Sequence, residues 1–316
     1  MRYITAQGIR GEFYLRVARA MAAWIDKLTI AFDSDSAYED YAWLGTPPGL
    51  SEVKGEKKGE EAKEYHYQLR NREFNGGLNI KRHDIERDKT GQVLAQVDDF
   101  STRCVNHWAE LISTLILAGD GTSLGTCYDG HNFFSATHTE RKSGTQKNLL
   151  TKTTVTSLQV TAAANPTSTE VVKAVLGVIT HMLGLNDDQG KPINEGATNF
   201  LVMTSPALWM WLVQGMINPV INNGDTNTLE SLKKDGFNVE IVPNTRLDYT
   251  VEFDVYRTDA PLKPFIRQEE IPLEVEVLGP ESEHYRLNNQ MLVKAYTRRA
   301  VGFGRWQYAA HATLST

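Results

Sequence analysis

The chain has 316 residues, with 33 lysines and arginines against 39 aspartates and glutamates, and so a formal charge of −6 at pH 7. At 41% apolar and 23% charged residues it has ordinary globular composition, which excludes a disordered, collagenous or coiled-coil chain and allows a large core or two interleaved ones. Two cysteines, Cys104 and Cys127, cannot form a disulfide framework, no apolar run approaches the roughly 18 residues of a membrane span, and there is neither a signal-peptide core nor an N-x-[ST] site. The expectation is a reducing compartment, and the mild acidity argues against a dedicated nucleic-acid binder.

Residues 8–28 predict one amphipathic helix, because Phe13, Val17, Met21, Trp24 and Leu28 recur at spacings of three and four. An acidic turn, Asp33-Ser34-Asp35-Ser36, leads to an aromatic cluster of Tyr38, Tyr41 and Trp43 and a break at Gly45-Thr46-Pro47-Pro48-Gly49. Residues 52–64 carry nine charges in 13 positions: Glu52, Glu56, Glu60, Glu61 and Glu64 alternate with Lys54, Lys57, Lys58 and Lys63. Nothing there can anchor the segment to the chain's own core. Beyond it, Tyr65, Tyr67 and Leu69, then Leu78 and Ile80, alternate around Asn75-Gly76-Gly77. This predicts two strands joined by a turn, a β-hairpin arm that packs on another subunit, with a solvated loop as the alternative.

The clearest helix spans 94–118, where Val97, Phe100, Cys104, Trp108, Leu111 and Leu115 repeat with a period near 3.5 and Val105, Ile112 and Ile116 widen the stripe. Gly119-Asp120-Gly121 ends it, and at 1.5 Å per residue it makes a rod of roughly 37 Å. A Gly/Asn/Thr-rich loop region covers 119–167. Helices follow at 168–184, capped by Ser168, and at 206–217, with Pro206 in its first turn; strands fit 200–203 and 239–242, and 271–313 is strand-rich.

Motifs of catalysis are weak. Gly121-Thr122-Ser123-Leu124-Gly125 fits the G-x-S-x-G nucleophile elbow, but it leaves a helix for a loop instead of joining a strand to a helix. The same stretch lacks Walker spacing and lysine. Cys104, Cys127, His131 and His138 lack the tight pairs of a zinc site, and Asp33, Asp35 and Asp40 lack the glycine and terminal glutamate of an EF-hand. Asp187-Asp188 and Asn222-Asn223-Gly224-Asp225 read as turns. Arg298, Arg299 and Arg305 form the basic cluster near the C-terminus, suited to phosphate or, more commonly, to neighbouring acids.

Several segments together resemble the major head subunit of Mu-like tailed phages. They are Ala42-Trp43-Leu44-Gly45 with Pro47-Pro48; Tyr67, Asn71 and Phe74 through Ile80-Lys81-Arg82-His83-Asp84-Ile85-Glu86-Arg87-Asp88; Cys127-Tyr128-Asp129-Gly130-His131-Asn132-Phe133-Phe134 with His138; Lys263-Pro264-Phe265-Ile266-Arg267-Gln268; and Thr297 through Gln307. The chain departs from the family at Val53-Lys54-Gly55-Glu56-Lys57, where relatives tend to carry an aromatic and an arginine.

The resemblance implies an α+β, Hong Kong 97-type capsid fold: an N-terminal arm (1–40), an extended loop (41–92), a peripheral domain with spine helix (93–164), an axial domain (165–250) and a return to the periphery (251–316). It also implies assembly in place of catalysis. Hexamers and pentamers would close an icosahedral virion head around double-stranded DNA touched without sequence preference, inside a bacterial cytoplasm, with no cofactor, metal or membrane. Expected intersubunit contacts are Trp24, Trp43, Glu52, Lys54, Glu56, Lys57, Lys58, Glu60, Glu61, Lys63, Arg298 and Arg299. A helix starting by residue 8 leaves no room for a leading scaffold segment, so a separate scaffolding protein is expected, beside a portal and a decoration protein. An encapsulin-like compartment shell and a hydrolase using Ser123 are the alternatives.

Overall fold

The computed structural model describes residues 5–17, 22–41, 66–88, 91–217 and 236–316. The helix expected over 8–28 is two helices, α1 (Ala6–Val17) and α2 (Ala23–Leu28), the second running directly into strand β1 (Thr29–Asp33). Ile25 and Leu28 are fully buried, and Thr29 bonds its hydroxyl back to the Ile25 carbonyl at 2.7 Å. The β-branched Thr29 and Ile30 then gain ladder bonds that a continuing helix would forgo.

β2 (Tyr38–Asp40) and β3 (Gln68–Arg70) pair antiparallel and bracket residues 42–65. The turn expected at Asn75-Gly76-Gly77 does not form. Instead β4 (Arg72–Lys81) runs unbroken through those residues and pairs along its length with Gln290–Arg299. The glycines serve packing: a Cβ on Gly76 would stand 3.4 Å from the Phe100 ring, and one on Gly77 3.2 Å from Leu292.

After α3 (Arg82–Arg87) comes the long helix α4 (Gln92–Leu117), 26 residues and about 39 Å long. Asp88 starts it, one carboxylate accepting the amides of Gly91 (2.8 Å), Gln92 (3.0 Å) and Val93 (3.1 Å). At its far end Gly119 is required because a Cβ would lie 2.6 Å from the ring of Phe134. Short strands β5 (His138–Thr139), β6 (Thr145–Gln146) and β7 (Leu149–Leu150) follow.

α5 (Ser168–Leu183) is capped one residue earlier than expected: Thr167 and Glu170 form a reciprocal capping box. Then come β8 (Asn199–Thr204), α6 (Pro206–Ile217), β9 (Asn238–Pro243), β10 (Glu252–Arg257), β11 (Phe265–Leu278), α7 (Glu283–Asn288), β12 (Gln290–Phe303) and β13 (Ala309–Thr313).

Two main sheets result. One has the order β1-β11-β12-β4, the other β7-β13-β10-β8-β9. Dividing the chain at residue 250 cuts the second sheet between β9 and β10. Its strands β8 and β10 are almost wholly buried runs, NFLVMT and EFDVYR, packed beneath α5 and α6. Along β11, by contrast, Pro272, Glu274 and Glu276 face out while Leu273, Val275 and Val277 face in. α1 and the first half of α4 cover this inner face, with Ile9, Phe13, Val93 and Val97 meeting Val275, Met291 and Val293. A third, central core joins the second half of α4 to Phe133, Phe134, Phe265, Phe303 and Trp306.

Candidate assembly surfaces

Two sequence blocks far apart in the chain, 127–140 and 305–307, meet in a buried polar knot. His138 stacks flat on Trp306, ring centroids 3.8 Å apart and planes 3° from parallel. One imidazole nitrogen lies 2.6 Å from Asp129 and the other 3.1 Å from the amide oxygen of Asn148. Glu140 is the hub, accepting the Trp306 indole (2.7 Å), the Tyr128 hydroxyl (2.8 Å) and the Gln307 amide (3.1 Å) on one oxygen. Burial pushes the Glu140 carboxyl above its ordinary range, opposed by the Tyr128 and Trp306 hydrogen bonds, and burial likewise raises Tyr128 and Cys127.

This His–Asp–Glu arrangement has no access for a substrate, since His138 is 0% and Glu140 3% exposed. It does structural work, pinning the loop after α4 to the end of β12. Glu140 carries no sequence signal of this role, since it sits between a threonine and an arginine in a polar stretch.

Ser123 lies exposed in the turns after α4, and no hydrogen bond joins its hydroxyl to a histidine or a carboxylate. The elbow geometry of strand, sharp turn and helix is absent there. Among the described residues no cluster of three or more His, Cys, Asp or Glu could hold a metal, and no helix is long and apolar enough to cross a membrane. Cys104, half-buried on α4, has its thiol raised to about 11 by burial. Asp188 meets Arg141 at 4.0 Å beside the turn closed by the Asp187 carboxylate.

The residues expected at subunit contacts divide three ways. Trp43, Glu52, Lys54, Glu56, Lys57, Lys58, Glu60, Glu61 and Lys63 lie outside the described residues. Trp24 packs, partly buried, against the central core. Arg298 and Arg299 are neighbours on β12 with opposite surroundings. Arg299 is 2% exposed, stacked 4.3 Å over the Trp108 ring and 3.5 Å from Glu269; burial pulls its guanidinium down to about 10, with Glu269 opposing. Arg298 bridges Glu270 and Glu73, at 2.6 Å each, and also donates to the Tyr296 hydroxyl. Both arginines line a groove of about 870 Å³ between β3, β4, β12 and the second half of α4, with Leu111, Thr114, Leu124 and Glu270 among its walls.

Over 98% of this chain and 73% of the other, the structure superposes on a chain of the procapsid of bacteriophage JBD30, with a TM-score of 0.53 and 19% identity. The fold is the Hong Kong 97-type capsid fold. The sequence profile described as Mu-like prophage major head subunit gpT matches residues 4–165, and the chain belongs to that family. It is 30% identical over 131 residues to the Mu-like prophage FluMu major head subunit of Haemophilus influenzae, covering 42% of this chain and 41% of that protein. With the major capsid protein of Escherichia phage Mu it shares 29% identity over 113 residues, 36% of each chain. The matches thus span about two-fifths of the length of these relatives.

Proposed function

We propose that copies of this chain assemble into hexamers and pentamers that close an icosahedral phage head around double-stranded DNA, so that the protein works in the virion as its major shell subunit. Family membership over the half of the chain that holds α4, the β2–β3 base and the knot loop is the observation that supports this reading most. The chemistry agrees with it: the cluster of His138, Asp129, Glu140 and Tyr128 is sealed inside the subunit and ties its own loops together. Subunits that each carry a projecting segment and a receiving face make head-to-tail contacts, which close rings when the rotation closes.

In this reading residues 1–40 form the N-terminal arm, 41–92 the extended loop, and α4 with the four-stranded sheet the periphery. The five-stranded sheet with α5 and α6 forms the axial part, to which the chain returns after residue 250 through β10 and β13. The arm residues Trp43, Glu52, Lys54, Glu56, Lys57, Lys58, Glu60, Glu61 and Lys63, with Trp24, Arg298 and Arg299, remain the proposed contact set, and a separate scaffolding protein, a portal and a decoration protein the proposed partners. DNA is contained without being gripped, touched without sequence preference by a wall of net negative charge. Negative-stain electron microscopy of the purified chain, alone and with a scaffold protein, tests the reading. Closed particles of uniform diameter are expected; open tubes, single rings or a chain that stays monomeric in both arms would overturn it.

A further inference from the structure

Charge is spread unevenly over this acidic chain, and one stretch reverses it. Between residues 138 and 194 the basic residues are Arg141, Lys142, Lys147, Lys152, Lys173 and Lys191, and all are exposed. The acidic residues of the same stretch do not answer them at the surface. Glu140, Asp187 and Asp188 are buried, and Glu170 is engaged in its capping box and with Thr161. Hydrogen bonds gather four of the cations on one face. The turn between β5 and β6 lies on the turn that follows α5, with the Lys142 amide donating to the Asp188 carbonyl at 3.1 Å. Gly190 approaches so closely that a Cβ there would stand 3.2 Å from the Lys142 carbonyl oxygen, which brings Lys191 alongside. The Gln146 side chain clamps the same two turns, accepting the Asn186 amide at 2.7 Å and donating to its carbonyl at 2.9 Å. One residue on, the Lys147 carbonyl lies 2.8 Å from the His181 ring at the end of α5.

We infer that this face, carrying Arg141, Lys142, Lys147 and Lys191, binds the phosphate backbone of double-stranded DNA without reading its sequence. The inference rests on the shell reading and adds to it the place where the wall touches the enclosed polymer. The cations are available: the three lysines make no ion pair among the described residues, and Arg141 meets Asp188 at 4.0 Å. The ground between them selects a phosphate chain over a protein partner. Ser143, Gly144, Thr145, Gln189 and Gly190 are small or polar, so the face lacks the buried aromatic or aliphatic anchors that carry affinity between proteins. Phosphate contact needs only cations and hydrogen-bond donors, and a duplex presents a charge about every 1.7 Å, so several side chains engage at once. The strength is also right for a container. A handful of phosphate contacts gives dissociation constants of about 10⁻⁴ to 10⁻⁶ M at physiological salt, so each copy touches the polymer and lets go.

The test uses the full, unassembled chain and a labelled duplex of mixed sequence, about 30 base pairs long, titrated by fluorescence anisotropy across a range of salt. In the triple variant Lys142→Gln, Lys147→Gln, Lys191→Gln, affinity at low salt should fall about tenfold or more, and the log–log salt slope should shrink by about 2 to 3. All three side chains are exposed, so the urea midpoint of the variant should match the parent's. The control is Lys81→Gln, Arg286→Gln, Lys294→Gln at the far end of the β11–β12 hairpin, where Glu274, Glu276, Glu281 and Glu283 are exposed as well. It changes net charge equally and should leave binding within about twofold of the parent. No binding by the parent at low salt, an equal loss in the control, or displacement of the duplex by a poly-glutamate peptide as readily as by unlabelled duplex would overturn the inference, the last by pointing to an acidic protein segment. None of these outcomes touches particle formation. A chain that binds the duplex but forms no particles by electron microscopy would overturn the shell reading instead.

Discussion

The two sheets of this protein differ in how far a single copy completes them. In the five-stranded sheet β8 and β10 are buried along almost their whole length, and their polar groups find partners within the subunit. Asp254, fully buried, takes the Tyr249 and Tyr256 hydroxyls at 3.0 Å each on one oxygen and His311 at 2.7 Å on the other. The four-stranded sheet is covered on both faces where β11 begins, with Phe265 and Ile266 both fully buried, and is more open on one face along the rest of its hairpin. Along β12 buried residues alternate mostly with half-buried ones, and one buried side-chain atom each of Arg298, Arg299 and Glu270 has no hydrogen bond. The first sheet is finished by folding; in the assembly we propose, the second also meets a neighbour. The contrast is useful because it separates substitutions that unfold the chain from those that act on association alone.

The sharpest way to break the comparison is at the knot that ties the sheets together. Trp306→Ala removes a fully buried ring, its stack on His138 and its bond to Glu140. It should cost about 3–5 kcal/mol in urea unfolding, and a loss below about 1 kcal/mol would show that the knot does not hold the sheets. Inside the five-stranded sheet, Leu201→Ala should destabilise the unassembled chain by about 2–5 kcal/mol, with assembly falling only in step with the folded fraction.

The next test follows pH. Burial works against the charged form of His311, but the hydrogen bond and charge of Asp254, with Glu252 and Asp120, raise its pKa above the usual 6.5. A raised histidine stabilises the fold fully below its unfolded value and loses that contribution as pH rises through its folded value. Urea midpoints should therefore decline from pH 6 toward pH 9, and His311→Gln should flatten this part of the profile; an unchanged slope in the variant would assign the decline elsewhere. Smaller still, Thr167→Ala at the capping box of α5 should cost about 1 kcal/mol, read as a modest drop in melting temperature. Smallest of all is Lys294→Ala on the exposed side of β12, expected within about 0.5 kcal/mol of the parent in unassembled stability. A large loss there would mean that the outer face of the hairpin is not free in the single copy.

Much of the fold was legible because it follows short-range rules. The stripe of Val97, Phe100, Cys104, Trp108, Leu111 and Leu115, widened by Val105, Ile112 and Ile116, announces α4, found at Gln92–Leu117 against an expected 94–118, though Phe100, Cys104 and Leu111 are only half-buried; Pro206 marks the start of α6. Where expectation and structure part, a distant partner decided the matter. Asn75-Gly76-Gly77 is a turn by local propensity, yet a strand because β12 pairs with it along its length, with Leu292 packed close over Gly77. Residues 8–28 carry a helical stripe, yet they form two helices, Ala6–Val17 packed with the first half of α4 and Ala23–Leu28 joined to the central core. The capping box shows the same limit at short range: Ser168 and Thr167 are equally good caps by type, and Glu170 chose between them.

The site was less legible than the fold. The sequence by itself determined the class of the protein, through residue blocks whose order matches the Mu-like head subunits. It also determined α4, α5 and α6, because amphipathic periodicity and helix-start residues act within a few turns of chain, while the break inside 8–28 and the short helices α3 and α7 were not legible. Only the tertiary structure decided that Glu140 is the hub of a knot, that Arg299 lies inside on Trp108 while Arg298 faces the groove, and that β10 and β13 belong to the sheet of β8 and β9. Each of those is a contact between residues far apart in sequence, and the energy of such a contact depends on burial and geometry that no local pattern encodes.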